Sequence, residues 1–111
     1  MPDRMREPTY FILAALQDEP RYGYAIIKQV EVLSQGRVTL ATGTLYSALD
    51  RLTAEGFVGV VREEIVNGRA RRYYEVTPDG LAALRAEAAH LANAAKVVTD
   101  RMTLRPATGL A

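Results

Sequence analysis

Residues 42–80 read TGTLYSALDRLTAEGFVGVVREEIVNGRARRYYEVTPDG. Leu45, Leu49 and Leu52 recur at i, i+4 and i+7, which places them on one face of a helix, and Gly56 is the residue type that ends one. Phe57 to Glu64 follows as a strand carrying Phe57, Val58, Val60 and Val61. Asn67-Gly68 tolerates the positive φ of a tight hairpin turn, and Arg71 to Thr77 returns with Tyr73, Tyr74 and Val76. The hairpin tip carries Arg69, Arg71 and Arg72. A short helix followed by an arginine-tipped hairpin is the outline of a winged helix-turn-helix. That architecture lays one helix in a DNA groove and the hairpin against the backbone beside it.

Upstream, a first helix is expected from Glu7-Pro8 to around Gln17–Glu19, before Pro20, with Tyr10, Leu13, Ala14 and Leu16 as its apolar face. Arg21-Tyr22-Gly23 reads as a short connection. A second helix, roughly Tyr22 to Ser34, has Ile26, Ile27, Val30 and Leu33 at helical spacing, and Gly36 lies where a capping glycine would. Val38-Thr39-Leu40 is a brief connection or one short strand. Thr42 or Thr44 is placed to cap the third helix.

Downstream, Thr77-Pro78 is a helix start. Leu81, Leu84, Ala88, Leu91, Ala95, Val98 and Met102 then follow at alternating spacings of three and four, an unbroken heptad seam. A helix of about 25 residues extends roughly 37 Å, too far to bury its whole seam against so small a head. A second copy of the chain is the simplest cover, which makes the seam the expected dimer interface. The fold class expected is mainly α, an α+β winged helix-turn-helix: three helices, a two-stranded wing and a long C-terminal dimerisation helix. Residues 1–77 form the DNA-binding domain, 78–104 the dimerisation helix and 105–111 a tail.

Composition excludes several classes. The 111 residues are 49% hydrophobic and 24% charged, so the chain is globular. There is no cysteine, hence no disulfide or thiolate chemistry. No apolar run approaches the roughly 20 residues of a membrane span, and the N-terminus is unlike a signal peptide; a cytoplasmic protein is expected. His90 stands alone among polar neighbours, and Glu63 and Glu64 diverge as consecutive strand residues. No enzyme, metal or cofactor is expected. Net charge is only +1, and residues 1–80 hold ten Lys/Arg against eleven Asp/Glu. Basic charge concentrates in the wing, where four arginines face two glutamates between Arg62 and Arg72.

On a helical wheel, Gly43, Ser47 and Ala54 point away from the leucine face, with Asp50 and Arg51 flanking them and Thr44 and Tyr46 at the borders. Small residues let a helix sit deep in a major groove. The free N–H groups near Thr42 and Thr44 suit phosphate, and Arg51 reaches phosphate or a guanine edge. The plainer alternatives are a packing role for Tyr46 and a solvated surface charge for Arg51. Strand alternation puts Arg71 and Arg72 on opposite faces.

Four segments together resemble the PadR family of transcriptional regulators. They are Tyr22-Gly23-Tyr24-Ala25-Ile26, then Thr42-Gly43-Thr44-Leu45-Tyr46 with Leu49 and Leu52, then Gly56-Phe57-Val58, and Gly68-Arg69-Ala70-Arg71-Arg72-Tyr73-Tyr74 with Thr77 and Gly80. The similarity runs from about Glu7 to Leu84. It implies a homodimeric repressor that reads a palindromic duplex operator through Tyr24, Thr42, Gly43, Thr44, Tyr46, Ser47, Arg51, Arg69, Arg71 and Arg72. The single C-terminal helix is similar to the short-tailed subfamily. The resemblance further implies release by a small hydrophobic or aromatic effector, in a pocket between the long helix and the partner's first helix that includes Tyr10 and Leu13. With no tryptophan, paired indoles are unavailable for sandwiching flat drugs. The alternative is a winged-helix protein–protein interaction module that does not bind DNA. Steep salt dependence of duplex binding would distinguish the first reading.

Overall fold

Pro8 sits in the first turn of α1 (Glu7–Ala15), where its missing N–H would have no helical partner. The structure, a computed structural model, describes residues 4–104, with side chains to residue 101. Thr9, Ile12, Leu13, Ala15 and Leu16 are buried, while Tyr10 and Ala14 stay half-exposed. This corrects the expected inward face. Phe11 to Leu16 is apolar all round, so periodicity has nothing with which to choose a side. The helix also ends earlier than expected, at Ala15.

Arg21–Tyr22 forms β1, a two-residue strand where a plain connection was expected. It pairs antiparallel with the wing's return strand, Arg21 opposite Tyr74 and Tyr22 opposite Tyr73. The Arg21 Nε donates to the Ala15 carbonyl at 2.8 Å, tying the strand to the end of α1. Two residues carry no periodicity, so only a partner distant in sequence makes them a strand. α2 (Gly23–Leu33) buries Ile26 and Val30, but leaves Ile27 half-buried and Leu33 exposed. Gly36, at φ +82°, donates its N–H to the Glu31 carbonyl at 2.9 Å and closes the helix. Residues 38–40 form no strand. Val38 and Leu40 are buried there, and the Ser34 Oγ accepts the Val38 N–H at 3.0 Å.

α3 (Thr42–Ala54) buries Leu45, Leu49 and Leu52 completely. Its N-cap is Ala41, with no side-chain hydrogen bond, so neither Thr42 nor Thr44 caps it. Both lie inside the first turn, past the N-cap position from which a threonine oxygen accepts an N–H two or three residues ahead. Gly56 ends the helix at φ +81°, and the Phe57 N–H donates to the Leu52 carbonyl at 2.9 Å.

The wing is β2 (Val58–Val66) and β3 (Arg69–Val76), joined at Asn67 and Gly68, with φ of 53° and 76°. Both central residues at positive φ make the turn type I′, whose twist suits a two-residue hairpin. The sheet order is β1-β3-β2, so the expected two-stranded wing is the larger part of a three-stranded sheet. Register shifts between Val60, opposite Tyr74, and Arg62, opposite Tyr73; Val61 is the extra residue of a bulge. Val58 and Tyr74 face the core.

α4 (Pro78–Leu104) begins at Thr77, whose Oγ accepts the Gly80 N–H at 3.0 Å and donates to the Gly56 carbonyl at 2.6 Å. At Gly80 a Cβ would collide with the Phe57 carbonyl and stand 2.9 Å from Val76 Cγ2, so only glycine lets the helix lie against that loop. Of the seam, Leu84 is 4% exposed in this chain's own core, and Leu81 and Ala88 are half-buried. That assigns the first two seam leucines to the chain's own core, Leu84 fully and Leu81 in part. From Leu91 to Arg101 every residue is exposed, Ala95 and Val98 included. The Met102 side chain and the tail from residue 105 lie outside what is described. Among the described residues no helix is long and apolar enough to cross a membrane.

Candidate nucleic-acid interface

Tyr46 leans from α3 onto the first turn of α2. A Cβ on Gly23 would overlap the Tyr46 hydroxyl and stand 2.8 Å from its Cζ, so the two residue types depend on each other. The ring still leaves Tyr46 42% exposed, which makes it both a packing residue and a surface one. Next to it, Thr42, Gly43, Thr44 and Ser47 are all exposed, and nothing lies within 4 Å of where a Gly43 Cβ would be. Glycine inside a helix costs roughly 1 kcal/mol against alanine, and among the described residues no contact requires it. The first N–H groups of α3 have no side-chain cap, and residues 41–44 are all exposed. Exposed hydroxyls, a bare helix start and a glycine with free space above it form one surface suited to a close-approaching anionic backbone.

Beside that surface, a cleft of about 610 Å³ separates the hairpin tip from Tyr46 and the first turn of α2; Tyr22, Tyr24, Tyr46, Arg69, Arg71 and Arg72 are among its lining residues. Tyr24 is 61% exposed, with the Lys28 ammonium 5.9 Å from its ring centre. Arg71 stacks its guanidinium 4.0 Å from the Tyr22 ring centre. Arg72, on the opposite sheet face, is held by Glu63 at 3.2 Å. A hydrogen bond with Tyr74, and then the Glu63 charge, raise its pKa above the ordinary guanidinium value. Arg69 is exposed at the tip and makes no ion pair among the described residues.

Arg51 does not join this group. Its Nη2 donates to Thr9 Oγ1 at 2.9 Å and its Nη1 to Glu55 at 3.4 Å, binding the end of α3 to α1. It lines a second cleft, of about 790 Å³, with Arg4, Phe57 and His90. The wheel placed Arg51 at the flank of the outward face, and Thr9, 42 residues earlier, draws it round. Leu13 is fully buried in the core and lines neither cleft, while Tyr10 packs edge-on against Phe11 at 5.4 Å. Among the described residues no three His, Cys, Asp or Glu side chains cluster as a metal site would need.

Sequence reasoning missed Tyr22 and Arg62. Arg62 lies over the Tyr73 ring at 3.9 Å, and Tyr73 meets Tyr22 at 5.6 Å. Neither contact could be read without the β1 pairing and the bulge.

Residues 12–86 match the Transcriptional regulator PadR-like family. The chain belongs to that family. It is therefore a transcriptional regulator of the PadR-like kind, and not an enzyme. It is 48% identical over 52 residues to the transcriptional regulator Rv3488 of Mycobacterium tuberculosis, a match spanning 47% of this chain and 48% of that protein. The chain thus spans about half the length of that relative. A PadR-like transcription factor from Bacteroides fragilis superposes with a TM-score of 0.70 at 29% identity, over 84% of this chain and 87% of that one. A transcriptional regulator from Clostridium thermocellum does so at 0.69 and 26%, over 83% and 89%. Bacillus subtilis PadR in complex with operator DNA matches at a TM-score of 0.65 and 26% identity, over 73% of this chain and 47% of that one.

Proposed function

We propose that this PadR-like chain is a homodimeric repressor that binds a palindromic duplex operator and is released by a small hydrophobic effector. One observation carries the proposal: Tyr24 of α2, Tyr46 of α3 and the wing arginines line one cleft, and the start of α3 just before Tyr46 is uncapped and exposed. The start of α3 enters the major groove, with Gly43 and Ser47 nearest the bases, while the wing lies along the flanking phosphates. Likeness to Bacillus subtilis PadR in complex with operator DNA supports this reading. The bare far half of α4, with Leu91 and Val98 exposed, supports a second copy as its cover. Two heads must then sit about 34 Å apart, or another multiple of a helical turn. The effector's seat is the apolar junction of α4 with the partner's α1, where Tyr10 stays half-exposed. It acts only by favouring one head spacing over another.

The test is anisotropy of a labelled duplex carrying the DNA upstream of the chain's own coding region, titrated at several salt concentrations. Binding that falls steeply with salt, together with a silenced reporter behind the same DNA, is the expected result. Binding that ignores salt, or no binding, would instead favour a protein-interaction module, which the nearly balanced charge of the head would suit.

A further inference from the structure

The register of the wing groups its arginines differently from their order in sequence. β3 places Arg69, Arg71 and Tyr73 on one face, because they are two residues apart. Tyr22 of β1 is opposite Tyr73 from one side, and Arg62 of β2 is opposite Tyr73 from the other. The result is a continuous stack across all three strands. Arg71 lies on Tyr22 at 4.0 Å, Tyr22 meets Tyr73 at 5.6 Å and 61°, and Arg62 lies on Tyr73 at 3.9 Å. The bulge at Val61 puts Arg62 there. Carried up from Val60–Tyr74 without it, the ladder would set Arg62 opposite Arg72, like charge against like.

A guanidinium lying on a ring keeps its in-plane N–H donors free and its fork fixed. Arg62 and Arg71 make no ion pair among the described residues. Arg72 has a donor engaged by Glu63 and that carboxylate beside it, which repels phosphate. Glu64 also lies on the stacked face, opposite Arg71, and its charge opposes phosphate there as that of Glu63 does beside Arg72. Unlike Glu63 it engages no guanidinium among the described residues, and it accepts a hydrogen bond from the Tyr73 hydroxyl at 2.7 Å, which orients the ring. We infer that Arg62, Arg69 and Arg71 form one phosphate-binding row on this face, with Tyr22 and Tyr73 as the positioning residues that hold Arg71 and Arg62 in place. Arg72 belongs to the opposite face and ties β3 to β2 through Glu63. The inference rests on the DNA-binding reading of the wing and adds Arg62, Tyr22 and Tyr73 to it.

Phosphate contacts do not depend on sequence, so the test needs no operator. Anisotropy of the full chain on a random duplex of about 30 base pairs gives the slope of log affinity against log salt. Arg62→Ala and Arg71→Ala should each weaken binding on the order of tenfold and flatten the slope by about 0.9 per phosphate released. Arg72→Ala should change the slope less than either. Tyr22→Leu should lower the slope as Arg71→Ala does, whereas Tyr22→Phe, which keeps the ring face, should restore it. A purely structural tyrosine would lower the melting temperature without this recovery of slope. Arg62 is exposed, so Arg62→Ala decides the matter even if Tyr22→Leu fails to fold. A wild-type slope in Arg62→Ala, alongside steep wild-type binding, overturns the row and leaves the DNA-binding reading standing. Absence of duplex binding by the wild-type chain overturns that reading, and the row with it.

Discussion

A methyl group added at Gly23 would collide with the Tyr46 hydroxyl, whereas one added at Gly43 meets nothing within 4 Å. The two glycines therefore give opposite outcomes. Gly23→Ala should destabilise the fold by about 1–3 kcal/mol in urea titrations, the usual range for overpacking. In a Tyr46→Ala background the same change should cost less than about 0.5 kcal/mol, because the colliding ring is gone. Gly43→Ala should instead raise stability by about 0.5–1 kcal/mol and weaken duplex binding, since the added methyl stands where the proposed groove wall comes closest. Both glycines were visible as motif positions. Their different reasons were not, because one depends on a ring 23 residues away and the other on space outside the chain. The same limit applies to Arg51: a wheel gives its direction from the helix axis, but not that Thr9 accepts its guanidinium at 2.9 Å.

At the scale of elements, local chemistry carried far. Asn67-Gly68, Gly56 and Thr77-Pro78 act where their φ preferences and capping atoms require, so the third helix, the hairpin and the start of the last helix were legible from residues nearby. β1 was not legible, because a two-residue strand exists only through β3. The Val61 bulge was not legible either: it reconciles a fixed two-residue turn with a register set at the other end of the sheet. Thr77 is the element-scale joint. Its hydroxyl caps α4 and holds the Gly56 carbonyl at 2.6 Å. Thr77→Ala should cost about 1–2 kcal/mol, lowering the thermal midpoint by roughly 5–10 °C for a domain this size, as circular dichroism would record.

At the scale of the molecule, α4 divides into two parts. Leu81 and Leu84 are held by this chain's own core, while Leu91, Ala95 and Val98 face solvent. The heptad spacing predicted one continuous seam. It could not say how far the head extends along the helix, because that depends on where the α1 packing stops. A second copy covering the far part is the proposed arrangement, and Leu91→Asp tests it by placing an uncompensated charge in the seam. Sedimentation should show the dimer's dissociation constant raised by on the order of a hundredfold or more, with the far-ultraviolet spectrum of the head retained. An unchanged dimer would mean that the seam from Leu91 onward is not its contact.

Val61 is opposite no residue of β3, and that gives the wing one position it can lose. Deleting Val61 would join Val60 directly to Arg62 and keep every pair from Val58–Val76 to Val66–Arg69. Deleting Glu64 instead would let the surplus residue slide into the ladder and turn Arg62 toward Arg72. Two changes of equal length, three positions apart, thus have opposite consequences for which side of the hairpin is basic. Tolerance to shortening in this hairpin depends on where the residue is lost rather than on how many are lost.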